Sequence, residues 1–470
     1  MVEFVVLAAF AALLVAGTVA DIPLVVILCL GYVLFLGYGI ATKHSVRTLL
    51  ERSVESVATV KNVILLFVVI GALTAAWRAS GTIPTIVAWS SRLLSPAACL
   101  VMCFLLCSLM SVLMGTGFGT VATMGVICMA IASAMGANRM LVGGAIIAGS
   151  YFGDRCSPVS SSALLVSTVT HTELSKNVSR MFRTGAVPFA ITCGIYLALG
   201  LVRNTGGTAP DVADALNDTF SLGAVTVLPA VAIVVLSAAR VEVKRSMLVS
   251  LALAVVIAVV SEGVSPAELP AILAFGYECN NPRIATMVSG GGILSMTNVM
   301  AVIAISSTYV GLFRETGLLR GACAVVTKLS RAYTPFVSVL ATSVLSCGLA
   351  CSQTLAILLT NELCDRSEKD ASALAMDLEN SVVIVSPLVP WSVSSVAALA
   401  AISAPVTSLA AACFLYLVPT WTLFVSLVIH RTPKLVESTP GRLLGLELCD
   451  VAGPKDITEF ESAPSMRRAA

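Results

Sequence analysis

An aspartate and several hydroxyl groups interrupt a long apolar region near the middle of the first half of this chain. Asp154 and Arg155 lie within the stretch 149–162, and four serines follow them: Ser157, Ser160, Ser161 and Ser162. A carboxylate at membrane depth is costly and usually faces a bundle interior or a water-filled cavity. Gly153 and Pro158 both disturb a helix, and broken backbone at that depth must be packed in protein or line a cavity. Carboxylate and hydroxyl oxygens in this arrangement predict a small-cation or proton site.

A second interruption lies at 115–120, where the sequence reads Gly-Thr-Gly-Phe-Gly-Thr. Thr116 and Thr120 flank the glycines, so an unwound segment could offer carbonyl and hydroxyl oxygens to a cation. The alternative interpretation is a close crossing of helices through small residues. A phosphate-binding loop is excluded because no Gly-Lys-Ser/Thr follows.

Two further breaks in the second half supply another set of candidates: Gln353, Thr354, Glu379, Asn380, Ser386, Pro387, Pro390 and Trp391. The two prolines lie within four residues, which an undisturbed helix does not accommodate. Gln353 and Asn380 offer amide oxygens, and Glu379 offers a second carboxylate. Glu379 could instead start a helix near the cytoplasmic face, and Trp391 could be an interfacial anchor or a packing residue.

The composition indicates an integral membrane protein. The chain has 470 residues, of which 57% are hydrophobic and 11% are charged, whereas soluble domains carry about 25% charged residues. The fourteen cysteines lack metal-ligand spacing and are interpreted as small apolar helix residues. No basic cluster with interleaved aromatic residues suggests nucleic acid. The sequence shows no nucleophile–base pair of the kind found in enzymes, and we expect no cofactor and no resident metal.

Hydrophobic patterning predicts an all-α polytopic membrane protein with about 10–13 transmembrane helices, including broken or re-entrant ones. The predicted spans are 2–20, 22–41, 62–79, 97–115, 119–136, 140–152, 185–203, 222–239, 246–261, 293–313, 331–349 and 405–430. We expect an amphipathic link at 43–61, an interfacial or re-entrant stretch at 264–282, broken segments at 354–364 and 379–402, and a loosely ordered tail from 432.

Loop charges predict the orientation of the chain in a cell membrane, since short cationic loops favour the cytoplasm. The link at 43–61 is basic, and a loop carrying Lys176, Arg180 and Arg183 follows the first set of spans. Both are predicted to be cytoplasmic, as are the two chain termini, whereas the acidic loop near 211–218 is predicted to lie outside.

Two pairs of similar segments indicate an internal repeat, because they occur in the same order and are separated by similar numbers of residues. Residues 77–83 resemble 313–319, and Ser157-Pro158-Val159 resembles Ser386-Pro387-Leu388. Chance similarity between apolar segments is the alternative. Loop charges reverse between the copies, which predicts inverted halves, a transporter architecture. The resulting division is 1–61 for the N-terminal helices and link, 62–203 for one repeat, 204–292 for connecting helices, 293–430 for the other repeat, and 431–470 for a cytoplasmic tail.

At these residues the chain resembles the NhaC-type Na+/H+ antiporter family of the ion transporter superfamily, from about residue 62 to 430. The resemblance is carried by Gly71-Ala72-Leu73, Trp77, the stretches 80–84 and 115–120, Tyr151-Phe152-Gly153-Asp154, Ser157-Pro158, Gln353-Thr354, Leu378-Glu379 and the stretch 386–391. It implies Na+/H+ exchange, and some members exchange malate for lactate with coupled ions.

The chain departs from the family pattern at four positions near the expected site. Arg155 stands where the pattern has Lys, Ser161 and Asn380 where it has Asp, and Ser352 where it often has Asn or Asp. The lead hypothesis is a Na+ or similar cation/H+ antiporter, and the alternative is an ion-coupled organic acid or amino-acid transporter. We expect the transported ions and the bilayer as partners, with a homodimer as an alternative to a monomer.

Overall fold

The computed structural model describes residues 2–20, 22–93, 98–203, 218–239, 241–279, 281, 284–318, 334–350, 352–364 and 370–431. These residues form helices and connecting turns, and no β-strand occurs among them. One isolated antiparallel bridge joins Tyr277 to Gly290. The predicted tail from 432 lies outside the described residues, as does most of the predicted acidic loop. The expectation of an all-α protein is confirmed.

The helices of the first half are α1 (Val2–Val19), α2 (Leu24–Ala41), α3 (Val46–Thr59), α4 (Lys61–Ala79), α5 (Thr82–Leu93), α6 (Cys99–Met114), α7 (Gly117–Thr120), α8 (Val126–Ala134), α9 (Arg139–Cys156), α10 (Ser161–Val169) and α11 (Leu174–Arg203). A π-helical turn, Val121–Gly125, joins α7 to α8. The break before α7 and the break between α9 and α10 fall where glycine, or proline and serine, cluster in the sequence.

The remaining helices are α12 (Ala224–Ala238), α13 (Val243–Val260), α14 (Leu269–Phe275), α15 (Ala285–Val288), α16 (Thr297–Thr316), α17 (Pro335–Ala350), α18 (Gln353–Cys364), α19 (Ala371–Asn380), α20 (Val382–Val385), α21 (Val393–Ala401) and α22 (Cys413–Arg431). Short 3-10 segments span Ile293–Met296, Ser386–Leu388 and Val406–Ala411. Among the described residues of the interfacial stretch predicted at 264–282, the one helix is the short α14.

Several helices have the length and hydropathy needed to cross a bilayer. Within the described residues, five helical segments meet both criteria: Leu24–Ala41, Lys61–Ala79, Leu174–Val202, Val243–Val260 and Ile293–Thr316. The segments Ala371–Leu388 and Val393–Ala401 meet them together and are bent by 56° at their junction. Shorter apolar helices, including α6 and α17, pack among them. The chain is therefore a polytopic membrane protein with broken helices.

The segment before residue 185 is helical and not the predicted loop, whereas its cytoplasmic placement stays a prediction. Lys176, Arg180 and Arg183 belong to α11, a single helix of 30 residues that begins at Leu174. A helix of that length extends about 45 Å, more than the hydrocarbon thickness of about 30 Å. Charge alone suggested a loop, but charged residues on the first turns of a helix that projects beyond the hydrocarbon are compatible with continuous helix.

Helices α4 and α16 run in opposite directions. The similar segments 77–83 and 313–319 begin at their C-terminal ends. Helix α3 leads directly into α4, and Arg52 Nε of α3 lies 3.3 Å from Glu315 Oε2 in the last turn of α16. Just before α16 begins, the Gly292 N–H donates to the carbonyl of Gly71 in the middle of α4 at 2.9 Å. This antiparallel pair is the arrangement that inverted halves require, and the inversion of the halves as a whole stays a prediction.

Candidate functional site

Asp154 lies in the last turn of α9 and is buried. The sequence predicted that the helix would already be disturbed at Gly153, but α9 continues regularly through Cys156, and the break covers 157–160. Gly153 serves a different purpose, since a Cβ there would collide with the backbone of Ser111 in α6. The glycine therefore permits the close approach of α6 that fixes the end of α9.

Ser157 ties the break to the same neighbouring helix. Its Oγ donates to the carbonyl of Val112 at 2.7 Å and accepts from the N–H of Val159 at 3.3 Å. Both contacts go to backbone, so Ser157 holds the chain in place and does not contact Asp154. The adjacent Pro158 is exposed.

Three side chains donate to the Asp154 carboxylate. The hydroxyls of Ser160 and Ser162 lie 3.4 Å from Oδ1 and 3.2 Å from Oδ2, respectively. Gln353 Nε2 lies 3.3 Å from Oδ2, and the backbone of Gly117 is close enough to act on the carboxylate. Ser160 and Ser162 lie at the start of α10, Gln353 begins α18 and Gly117 begins α7, so the sequence-distant breaks meet at one carboxylate.

Helix N-termini surround Asp154. Ser160 is the N-cap of α10, where it accepts from the N–H of Ala163 at 3.3 Å, and Gln353 is the first residue of α18. Gly117 begins α7, which continues through the π turn into α8. The N-terminus of a helix carries partial positive charge. Three such ends therefore stabilise negative charge on Asp154 inside the protein.

Thr116 brings an additional hydroxyl to this junction. Its Oγ1 is buried and has no hydrogen-bond partner among the described residues. The neighbouring candidate Thr120 is different, because its hydroxyl donates to the Thr116 carbonyl at 2.9 Å. Thr116 thus offers a free oxygen next to Gly117, whereas Thr120 stabilises the broken backbone.

Arg155 does not pair with Asp154, although the two are adjacent in the chain. Its Nη1 donates to the Met181 carbonyl at 3.0 Å, and its Nη2 donates to Thr184 Oγ1 at 2.7 Å and to Asn380 Oδ1 at 2.5 Å. No ion pair joins Asp154 and Arg155 in the described part of the chain. Arg155 instead connects α9 to α11 and α19.

Glu379 is a second buried carboxylate close to this connection. It lies in the last turn of α19, so the alternative of a helix-start residue is wrong. The residue is fully buried, and neither carboxylate oxygen has a hydrogen-bond partner among the described residues. The charges of Arg155 and Asp154 both act on it. A buried carboxylate without hydrogen bonds is a functional candidate, because such groups are costly to keep.

The remaining candidates of the second half lie away from Asp154. Ser386 is buried and faces Ser392, with 3.5 Å between their hydroxyl oxygens. Trp391 Nε1 donates to the Gly348 carbonyl at 2.7 Å, which makes it a packing residue that joins this break to α17. Pro387 is buried in the same 3-10 turn, and Pro390 is half-buried beyond it. Ser161 and Thr354 are exposed, and neither side chain contacts the carboxylate.

The model of the Na+/H+ antiporter family matches residues 1–173 and 149–430. The chain belongs to the Na+/H+ antiporter family.

Curated relatives from this comparison carry different substrate names. The chain is 28% identical over 402 residues to the "Malate-2H(+)/Na(+)-lactate antiporter" of Bacillus subtilis (strain 168), covering 83% of this chain and 86% of the relative. It is 26% identical to the "Na(+)/H(+) antiporter NhaC" of Alkalihalophilus pseudofirmus, covering 70% of this chain and 74% of the relative. It is also 26% identical to the "Arginine/ornithine antiporter ArcD" of Halobacterium salinarum, covering 73% and 74%.

Ser162 and Gly117 contact the carboxylate of this Na+/H+ antiporter family member but were not selected as sites from the sequence. Ser162 belongs to the serine cluster at the break, where all four serines have the same residue type. Gly117 acts through its backbone, which residue type alone does not reveal. The spacing of residues in the sequence does not distinguish Ser162 or Gly117 from the neighbouring positions.

Proposed function

We propose that this protein exchanges Na+, or a similar small cation, for H+ at a site built on Asp154. The observation that carries the proposal is the buried Asp154 carboxylate, which contacts oxygen-bearing side chains from both halves of the chain. Ser160 and Ser162 come from the first half, and Gln353 comes from the second. A buried carboxylate in a transporter marks an ion or proton pathway.

The coupling follows from competition for the same oxygens. A carboxylate that carries a proton presents less negative charge to a cation, so Asp154 holds one or the other. The hydroxyls of Ser160 and Ser162 each have one donor and two acceptor positions, so they can turn lone pairs towards a cation. Rotation of the Gln353 amide exchanges its N–H donors for its carbonyl oxygen. The unpaired hydroxyl of Thr116 supplies a further oxygen.

Gln353 links the site to the second half of the chain, which must move relative to the first half during exchange. Its Nε2 donates both to Asp154 and to the Val383 carbonyl in α20, the latter at 3.1 Å. Tyr151, one turn before Asp154, donates through its hydroxyl to the Ser394 carbonyl at 3.0 Å. The second half therefore contacts the last two turns of α9. A shift between the halves would open Asp154 to one face of the membrane at a time.

Glu379 is the second candidate for a proton carrier. Its carboxylate lies in the neighbourhood of Arg155, which Asn380 and Thr184 hold in place. In this role Arg155 connects the two carboxylate-bearing helices, α9 and α19. We assign Glu379 the proton only if removing the Asp154 carboxylate leaves cation and proton movement coupled.

The test is antiport in sealed vesicles that contain the purified protein and a pH-sensitive dye. An addition of Na+ should collapse an imposed pH gradient with wild type, and Asp154→Asn should abolish the response. Ser161→Ala is the matched control, because this exposed serine belongs to the same cluster without touching the carboxylate. Wild-type exchange by Asp154→Asn would contradict the proposed role of Asp154.

An ion-coupled organic acid or amino-acid exchanger is the second candidate function. It is favoured by similarity to two relatives, the malate/lactate antiporter and the arginine/ornithine antiporter. Hydroxyls and helix N-termini around Asp154 could also hold an organic anion once a cation is bound. Counterflow of labelled organic acids into preloaded vesicles distinguishes this function, since a cation/H+ antiporter shows none.

We also propose that both chain termini face the cytoplasm of a cell membrane, as the basic link before α4 indicates. The exposed ion pair between Arg47 and Glu51 lies on this link. Association into a homodimer stays a prediction that chemical cross-linking in native membranes tests.

A further inference from the structure

A polar cavity lies at the end of α9 opposite to Asp154. It has a volume of about 300 Å³ and is bounded by the last turn of α4, the end of α8, the start of α9, the turn before α16 and the end of α21. Arg139, the first residue of α9, and Asp154 are separated by about 22 Å along the helix axis. The cavity is therefore distinct from the carboxylate site.

Two arginines face this cavity without an acidic partner. Arg78 and Arg139 both line it, and no Asp or Glu is among the described residues that do so. Their positive charges act on each other. Two like charges that share a partly enclosed space repel, and an anion between them removes that repulsion.

Arg78 has unused hydrogen-bonding capacity at this position. Its Nη1 donates to the Thr74 carbonyl at 3.0 Å, whereas its Nε is buried without a hydrogen-bond partner among the described residues. A buried donor that remains unpaired is unfavourable. Since the guanidinium presents a planar fork that matches a carboxylate, an anion in the cavity would satisfy this donor.

The position of Arg139 strengthens the positive potential. It occupies the first turn of α9, after the N-cap Asn138, whose side chain accepts from the Met140 N–H. A helix N-terminus already favours negative charge, so a cation there has no helix-dipole stabilisation. Arg139 is exposed enough to reach a solute that enters from water. Ser133 and Ser295 add hydroxyls to the wall of the cavity.

We propose that this cavity binds a small organic dicarboxylate, with its carboxylates held by Arg78 and Arg139. The volume is at the lower end of the range of ligand pockets, roughly 300–1,000 Å³, and has room for a small acid. The proposal does not depend on cation exchange at Asp154, because no residue that contacts the Asp154 carboxylate lines the cavity.

The experiment measures binding of radiolabelled succinate to the purified full-length protein in neutral detergent, at constant ionic strength set with chloride. Wild type should bind one succinate per chain, and Arg139→Gln should weaken binding at least about tenfold, as expected for loss of a charged hydrogen bond. Arg47→Gln, which removes an exposed arginine on α3, is the charge-matched control and should bind like wild type.

Two further variants decide the location of the bound acid. Arg78→Gln should weaken binding as Arg139→Gln does, and Arg139→Gln alone decides the result if Arg78→Gln fails to fold. Asp154→Asn should bind succinate like wild type even though its antiport is lost. Absence of saturable binding in wild type, equal binding by Arg139→Gln, or loss of binding in Asp154→Asn would each overturn the proposal.

Discussion

Gln353 Nε2 lies 3.3 Å from Asp154 Oδ2, although the two residues are 199 positions apart in the chain. The contact joins the first turn of α18 to the last turn of α9. It brings together an amide and a carboxylate from the two predicted repeats, 62–203 and 293–430. In the proposed exchange mechanism, a relative movement of the halves would change this contact, because Gln353 also donates to the Val383 carbonyl in α20.

Gln353→Ala should lower the apparent cation affinity about tenfold while leaving the protein folded. The substitution removes one hydrogen bond to a charged group, a loss of about 1.5–3 kcal/mol, at a half-buried position. Dye-based antiport at a series of Na+ concentrations measures the affinity, and thermal unfolding monitors the fold. The neighbouring exposed Thr354→Ala is the control. Normal transport by Gln353→Ala would show that the amide is only structural.

Ser162→Ala should impair cation affinity more than Ser161→Ala does. Ser162 Oγ contacts Asp154 Oδ2, whereas Ser161 is exposed. The expected loss is about fivefold to tenfold for Ser162 and none for Ser161, since only one of the two hydroxyls can serve as a ligand. The same vesicle titration compares both variants. The reverse order of effects would place the cation on the other face of α10.

Gly153→Ala should destabilise the protein, because a methyl group there collides with the α6 backbone at Ser111. Overpacking of this kind costs about 1–3 kcal/mol. Gly194→Ala is the matched control within a helix, since a Cβ at that glycine meets nothing within 4 Å. Thermal unfolding in detergent should show a lower midpoint for Gly153→Ala alone. Equal midpoints would mean that α6 and α9 can separate freely.

Labelling of single cysteines tests the inverted arrangement of the halves. Ser265 lies beyond α13, beside Glu262, whose carboxylate is close to Gly81 at the end of α4. In a background without native cysteines, Ser265→Cys should react with an impermeant reagent from outside and Thr316→Cys from inside. Reaction of both from one face would contradict the antiparallel relation of α4 and α16.

The membrane class, the positions of the main breaks and the candidacy of Asp154 could all be predicted from the sequence. Composition and the clustering of Gly, Pro and Ser carry that information. The direction of Arg155 could not, because successive helical residues point about 100° apart. Although Arg155 is adjacent to Asp154 in the chain, its side chain therefore contacts Asn380 and not the Asp154 carboxylate. The Arg78 and Arg139 cavity was also unpredictable, since it depends on how distant helix ends pack.

Coupling of cation movement to proton movement by Asp154 is the central claim about this protein. The decisive measurement is the apparent Na+ affinity of antiport in vesicles, determined as a function of pH for wild type and Asp154→Asn. Because cation and proton compete for the same carboxylate, wild-type affinity should fall as pH is lowered. Asp154→Asn should remain folded, as checked by thermal unfolding, and should show no Na+-dependent proton movement at any pH. A wild-type response and pH profile in Asp154→Asn would contradict the account and transfer the proton to Glu379.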